Sequence, residues 1–198
     1  MARCSIVVFL KAPRPGTVKT RLAQDIGPTA AAEAYRILLR QVLERLAGFE
    51  HVELRYAPDD ARAEIALWAR PPWTGRAQGP GDLGARLARA FADSFASGNE
   101  RVLIIGSDCP YLLPSDLAAA SDALAEADVV LGPATDGGYW LVGLRSPCAA
   151  LFEEISWSTP SVLSDTVRRC RKLGLTVHLL RELADVDTLE DWQRFLRF

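Results

Sequence analysis

Acidic side chains follow two segments that have the pattern of buried strands, and their type suits the binding of a cation. Asp108 follows the strand-like run of residues 101–106 after one intervening serine. A carboxylate at the tip of a buried strand is costly to desolvate unless it is paired, and a hard divalent cation bridging phosphate oxygens would pair with it. Asp185 and Asp187 alternate, so in an extended stretch both project to one side. We predict that Asp108 and Asp187 bind metal, the alternative being that each only caps a turn or helix.

Basic side chains cluster in one loop, residues 11–23, after the first predicted strand. Pro13 and Pro15 stiffen this loop, and Gly16 permits a tight turn. A rigid cationic loop that leads into a helix suits a polyphosphate, although neither the Walker nor the dinucleotide-binding glycine pattern is present. The predicted nucleotide-binding residues of this loop are Lys11, Pro13, Gly16, Lys19 and Arg21. A solvated basic loop is the alternative.

Two further loops have residues that could contact substrates. Asp136 lies in a glycine-rich segment, where it could orient or deprotonate an acceptor hydroxyl or simply form a turn. The loop of residues 78–84 offers a glutamine with both donor and acceptor atoms, as base recognition requires, although it could be only a helix start. The predicted nucleotide contacts in it are Gln78, Gly79 and Asp82. The predicted catalytic residues are Lys19, Asp108 and Asp136.

Short β-branched runs alternate with longer segments of helical periodicity, which predicts an α/β fold with a mostly parallel sheet. The predicted strands are residues 5–10, 52–57, 101–106, 128–131, 139–144 and 175–180. The predicted helices are one capped by Thr29, 59–70, one opened by Asp82, 115–127 capped by Ser115, 162–173 and 188–196. The close spacing of the fourth and fifth strands indicates one antiparallel excursion. Ligands of such sheets bind outside the carboxyl ends of the strands, so the loops described above should converge.

The composition favours a single domain spanning residues 1–198, with 49% hydrophobic and 24% charged residues. The net charge of −2 and the lack of a basic stripe argue against a nucleic-acid partner. Four cysteines without a Cys-x-x-Cys pair, and only two histidines, predict reduced thiols rather than a zinc site. The apolar N-terminal run is too short for a signal peptide or membrane span, so we expect a cytoplasmic protein with no membrane partner. Oligomeric state is not predicted.

Five motifs, in order along nearly the whole chain, resemble those of a known family. They are Lys-x-Pro-x-Pro-Gly-x-Val-Lys-Thr-Arg-Leu from Lys11, Gln-Gly-x-Gly-Asp-Leu-Gly-x-Arg-Leu from Gln78, Gly-Ser-Asp-Cys-Pro around Asp108, Gly-Pro-Ala-x-Asp-Gly-Gly-Tyr-Trp-Leu-Val-Gly-Leu from Gly132, and Asp-Val-Asp-Thr from Asp185. These look like the bacterial transferases of the nucleotide-diphospho-sugar (GT-A) fold. They look closest to the group associated with radical-SAM and selenodomain proteins, the arsenosugar-biosynthesis-type glycosyltransferases. More distantly they are similar to phospholactate and molybdenum-cofactor guanylyltransferases.

This resemblance implies a Rossmann-like GT-A three-layer sandwich with a nucleotide site assisted by Mg²⁺ or Mn²⁺. By position it implies that Asp108 and Asp187 bind the metal and that Lys19 and Arg21 bind phosphate. The implied partners are a nucleotide or nucleotide-sugar donor and a small-molecule acceptor. Three functions stay open: glycosyl transfer from a nucleotide-diphospho-sugar, nucleotidyl transfer from a nucleoside triphosphate with pyrophosphate release, and nucleotide binding without catalysis.

Overall fold

A seven-stranded sheet forms the centre of the computed structural model, which describes residues 3–197. The strands are β1 Cys4–Lys11, β2 Val52–Ala57, β3 Thr74–Ala77, β4 Arg101–Ile105, β5 Val129–Pro133, β6 Tyr139–Leu144 and β7 Val177–Leu179. Their order in the sheet is β3-β2-β1-β4-β6-β5-β7, and β6 runs antiparallel to both of its neighbours while the other pairings are parallel. The predicted mostly parallel sheet with one reversed strand is confirmed.

Helices cover both faces of this sheet. They are α1 Thr20–Ile26, α2 Pro28–Arg45, α3 Arg62–Ala66, α4 Leu83–Ala96, α5 Pro114–Ala123, α6 Val162–Lys172 and α7 Leu189–Phe195. One apolar cluster joins the sheet to α2 and α5, and a second joins it to α4 and α6. Because strand side chains alternate between faces, Ile6 and Val8 of β1 lie in the first cluster and Val7 lies in the second. The result is the predicted three-layer sandwich. Within residues 3–197 no helix is long and apolar enough to cross a membrane.

Two helices begin at a proline, before the residues that were predicted to cap them. Helix α2 begins at Pro28 rather than after a cap at Thr29, and α5 begins at Pro114 rather than after a cap at Ser115. Proline suits the first helical position because it has no N–H to leave unpaired there and its φ is already helical.

Three elements differ from the prediction because their sequences lack a long apolar stripe. The helix predicted over residues 59–70 is only the five residues of α3, and Leu67 beyond it is 86% exposed. The short helix α1 was not predicted. Strand β3 was not predicted either, since its sequence Thr-Gly-Arg-Ala, mostly exposed at the sheet edge, has no alternating apolar pattern.

An arginine buried in the sheet links β2 to α4 through ion pairs. The side chain of Arg55 is 1% exposed, and its Nη2 donates to a carboxylate oxygen of Asp93 at 2.8 Å. Its Nε donates to Glu53, whereas its Nη1 has no hydrogen-bond partner among the described residues. Since a buried charge is tolerated only when it is paired, these carboxylates are needed to keep the guanidinium inside.

The Asp93→Asn variant is expected to lose about 2 kcal/mol of unfolding free energy, because the buried guanidinium loses a charged acceptor. Partial burial would raise the pKa of Asp93, but hydrogen bonds from Arg55 and Arg76 outweigh this and lower the pKa. The folded state therefore binds fewer protons than the unfolded chain, so this stabilisation is full above about pH 4 and is lost as pH falls through the lowered pKa. Urea titrations at pH values from about 7 to 2 measure the loss of unfolding free energy in Asp93→Asn, with the exposed variant Asp122→Asn as the control. Equal destabilisation at every pH would contradict the assignment.

Candidate active site

A cleft of about 850 Å³ lies at the carboxyl ends of β1 and β4. The loop before α1, the residues after β4, the β5–β6 turn, the segment before α6 and the segment before α7 all contribute to its lining. This is the edge at which parallel α/β sheets bind ligands. Segments far apart in sequence therefore meet around one cavity.

A lysine joins the two predicted metal ligands at the base of the cleft. The ammonium of Lys19 donates to an oxygen of Asp108 at 2.9 Å and to an oxygen of Asp187 at 2.7 Å. Its side chain is only 4% exposed, whereas the two carboxylates are 36% and 40% exposed. Burial alone would lower the pKa of Lys19, but the two carboxylates outweigh it and raise the pKa, so the ammonium stays charged.

A third acidic residue, Asp185, lies beside this ion pair. Burial and the charges of Asp108 and Asp136 raise the pKa of Asp185 to about 8. Its Oδ1 is buried and has no hydrogen-bond partner among the described residues. The neighbouring amide of Val186 donates to the Asp108 carbonyl oxygen at 3.2 Å, which ties this segment to the end of β4. Within residues 3–197 this carboxyl oxygen therefore remains an unsatisfied acceptor atom of the site.

A tyrosine hydroxyl links the ends of the two central strands. The Tyr35 hydroxyl accepts the Lys11 backbone N–H at 3.0 Å and shares a hydrogen bond of 2.7 Å with the Ser107 hydroxyl. Burial raises the pKa of Tyr35 to about 12, so it remains a neutral phenol. Tyr35 was not among the predicted site residues, and its hydroxyl is the only feature of the sequence that could have indicated this role.

The wall of the cleft across from the basic loop combines an aromatic ring with hydroxyl groups. Its members are Asp136, Tyr139, Trp157, Ser158, Thr159 and Val162. The Trp157 indole packs on Gly84 of α4, where an added Cβ would lie 2.9 Å from the indole nitrogen. The loop around Gly137 packs on Pro160, and the Leu163 N–H donates to the Gly137 carbonyl at 2.9 Å. The described residues of this wall include no lysine or arginine, but Arg86 of the adjoining helix α4 lines the same cleft.

The structure brings together seven of the eleven predicted site residues. Those lining the cleft are Lys11, Lys19, Arg21, Gln78, Asp108, Asp136 and Asp187. Gly16, Gly79 and Asp82 are not among its lining residues, and Pro13 lines a separate cavity of about 530 Å³. The Asp82 carboxylate caps α4 by accepting the Ala85 N–H at 2.8 Å.

Gln78 reaches the cleft, but its amide is engaged in the protein. The amide nitrogen donates to the carbonyl oxygens of Leu10 and Arg55 at 3.1 and 2.9 Å, and the residue is buried. The amide oxygen accepts from Arg86 at 3.4 Å. These bonds hold the loop after β3 against β1 and leave the amide little capacity for a ligand.

The family to which the chain belongs follows from a match over residues 39–159, more than half of its length. The matching family is described as an uncharacterized protein conserved in bacteria, DUF2064. The chain is a DUF2064 protein.

Relatives of this DUF2064 chain have names of enzymes that use nucleotides or nucleotide sugars. A Desulfovibrio desulfuricans G20 protein, provisionally named a nucleotide-diphospho-sugar transferase, is 35% identical, with a TM-score of 0.92 over 100% of this chain and 87% of that chain. The 2-phospho-L-lactate guanylyltransferase of Methanothermobacter thermautotrophicus Delta H is 28% identical over 177 residues, 87% of this chain and 76% of that protein. The CTP complex of CMP:2-keto-3-deoxy-manno-octonic acid synthetase has a TM-score of 0.62 at 10% identity, covering 98% and 97% of the two chains, a likeness of fold alone.

The donor atoms of this DUF2064 site suit a hard divalent cation. Asp108 and Asp187 offer carboxylate oxygens, which Mg²⁺ and Mn²⁺ prefer, and the unsatisfied Oδ1 of Asp185 adds a further acceptor. No group of three or more His, Cys, Asp or Glu side chains within residues 3–197 is arranged as a ready metal site, and the Lys19 ammonium lies between the two carboxylates. The residues fit the cation chemically, while their present arrangement holds an ammonium.

Three residues of this DUF2064 site were not predicted as functional: Tyr35, Trp157 and Asp185. Asp185 shares the alternation that selected Asp187, so the spacing alone could have included it. Trp157 has no periodic or motif signal, because its position depends on how residues 156–161 fold over the start of α4.

Proposed function

We propose that this chain, a transferase by its relatives, transfers a glycosyl group from a nucleotide-diphospho-sugar to a small hydroxylated acceptor with the help of a divalent cation. One observation carries the proposal: Lys19, Asp108 and Asp187 meet in a cleft at the carboxyl edge of the sheet. Anionic and cationic groups so close together suit a ligand that has a metal ion bound to phosphates.

The residues on the β1 side would bind the diphosphate. Lys11 and Arg21 are exposed at the cleft, so their charges can reach phosphate oxygens. Asp108 and Asp187 would hold Mg²⁺ or Mn²⁺. A cation bound there stabilises the negative charge that develops on the departing diphosphate. Tyr35 would act as a positioning residue, since its hydroxyl fixes the strand ends that present Lys11 and Asp108.

The wall formed by the β5–β6 turn and the segment before α6 offers contacts to a hydroxylated group. Trp157 offers an aromatic face to the C–H bonds of a sugar ring, and Ser158 and Thr159 offer hydroxyls. A cation also lines this cleft from α4, since Arg86 is among its lining residues and donates to the Gly81 carbonyl oxygen and the Gln78 amide oxygen.

Asp136 is the candidate base of the transfer step. It is exposed on that wall, and one of its oxygens accepts the Gly138 N–H at 2.8 Å, which orients the carboxylate. The acceptor oxygen would form a bond to the anomeric carbon as the bond from that carbon to the diphosphate breaks. The acceptor proton would pass to Asp136, and the nucleoside diphosphate would leave with the electron pair.

Nucleotidyl transfer is the second candidate, and the similarity to a guanylyltransferase along 87% of this chain favours it. In that reaction Lys11, Lys19 and Arg21 would hold a nucleoside triphosphate while a phosphorylated acceptor attacks the α-phosphorus. The assignment to the radical-SAM- and selenodomain-associated group stays a prediction from the motifs.

The by-product distinguishes the two reactions. We expect the full chain, given Mn²⁺, a panel of nucleotide sugars and simple glycosides or polyols, to release a nucleoside diphosphate in an acceptor-dependent manner, as measured by anion-exchange chromatography. A parallel reaction with the four nucleoside triphosphates and phosphorylated hydroxy acids is assayed for pyrophosphate. Pyrophosphate release without nucleoside diphosphate would replace the proposal by nucleotidyl transfer. Thermal stabilisation by nucleotides without either product would indicate a binding domain.

A further inference from the structure

The Lys19 ammonium is enclosed at the point where the two predicted metal ligands face each other. Its side chain is 4% exposed and makes contacts of 2.9 and 2.7 Å with Asp108 and Asp187. Its backbone is left-handed, with φ 48° and ψ 48°, a conformation that residues with a side chain rarely adopt. Such a conformation persists only where the surroundings hold it, so the ion pairs fix this residue in place.

A divalent cation held by Asp108 and Asp187 would compete with this ammonium for the same carboxylates. Two cations that share a pair of carboxylates repel each other strongly in a partly buried site, since their interaction is screened far less than in water. Either the ammonium stays and no divalent cation binds these carboxylates, or the ammonium leaves when the metal arrives.

We propose that Lys19 is a displaceable internal cation that keeps Asp108 and Asp187 in position in the free protein and moves to the donor phosphates when a divalent cation binds. The inference rests on the proposed function for the identity of the phosphate ligand, but the exchange itself needs only the metal. The Asp136 carboxylate, which lines the same cleft, adds to the attraction for a divalent ion. Metal and donor would then bind cooperatively, because the donor supplies a new partner for the released ammonium.

The test is a titration of the full chain with Mn²⁺ in the absence of nucleotide. The electron paramagnetic resonance signal of free Mn²⁺ measures how much of the metal remains unbound. We expect Lys19→Met to bind Mn²⁺ at least about tenfold more tightly than the wild type, because its competitor is gone. The control Lys172→Met removes an exposed charge on α6 that is not among the residues lining the cleft, and it should change the affinity less than about twofold. Circular dichroism verifies that each variant is folded, and Lys19→Gln repeats the measurement with a polar side chain.

A second measurement repeats the Mn²⁺ titrations with a saturating nucleoside diphosphate. The nucleotide should tighten Mn²⁺ binding more in the wild type than in Lys19→Met, which has no ammonium to release. Equal or weaker Mn²⁺ binding by both Lys19 variants, or a lack of Mn²⁺ binding by every protein, would overturn the exchange. Transfer activity with unchanged Mn²⁺ affinity would refute this inference alone, while tighter Mn²⁺ binding without any transfer would refute the proposed function alone.

Discussion

Asparagine in place of Asp108 is expected to abolish metal-dependent nucleotide binding and to lower turnover by about 10²–10³-fold. The carboxylate lies at the end of the buried strand β4 and belongs to the pair that would hold the cation. An amide keeps the size of the side chain but removes the charge, so the cation loses its main electrostatic partner while the packing around it is unchanged. Isothermal titration with Mn²⁺ and a nucleoside diphosphate measures the binding, and the by-product assay measures the turnover.

The matched control for this variant is Asp122→Asn. It removes an exposed carboxylate near the end of α5 that is not among the residues lining the cleft. The control should bind nucleotide and Mn²⁺ as the wild type does. The melting temperature of Asp108→Asn should fall only slightly, because Lys19 retains Asp187 as an ion-pair partner. Unchanged nucleotide affinity in a folded Asp108→Asn protein would mean that the cation binds elsewhere.

Alanine at position 137 is expected to destabilise the protein by about 4 kcal/mol. Gly137 has φ +87°, so any side chain adds about 1–2 kcal/mol of left-handed strain. An added Cβ would also lie 2.2 Å from the Pro160 carbonyl oxygen, and backbone cannot move aside as a flexible side chain can. Overpacking of this kind costs typically about 1–3 kcal/mol. Urea denaturation at neutral pH measures the loss.

Gly174→Ala separates the two contributions to that loss. Gly174 also has a positive φ, +68°, but an added Cβ there would meet nothing within 4 Å. It should therefore lose only the strain of the left-handed backbone, about 1–2 kcal/mol. If the two variants were equally destabilised, the contact between the β5–β6 turn and Pro160 would contribute nothing to stability, and the cleft wall would be looser than the structure indicates.

The sheet could be predicted from sequence wherever a strand is buried on both faces. After Arg101 the residues of β4 are all apolar, as expected for a strand buried on both faces. The edge strand β3 packs little apolar surface and is held by backbone hydrogen bonds to β2, which leave no trace in residue types. The predicted starts of α2 and α5 were wrong for a different reason. Thr29 and Ser115 are favourable capping residues, but the proline before each of them occupies the first helical position instead.

Charged residues at strand ends were predictable, whereas the walls around them were not. Asp108 and Asp187 follow directly from the rule that ligands meet the carboxyl edge, and the structure brings them within reach of one ammonium. Gly79 was predicted to contact the nucleotide, yet its lack of a side chain serves the close approach of the Arg89 guanidinium. Trp157 could not be found, since its place depends on contacts between loops that sequence spacing does not encode.

The reversed strand β6 has a consequence for how such enzymes could diversify. A parallel strand returns through a long crossover, but β5 and β6 are joined by a short turn at the ligand edge, and that turn contains Asp136. In the proposed function the donor side is built instead from β1 and β4, whose register does not depend on this turn. Insertions or deletions in the turn would therefore reshape the surface offered to an acceptor and leave the phosphate apparatus undisturbed. One scaffold could in this way acquire new acceptors through changes in a single hairpin tip.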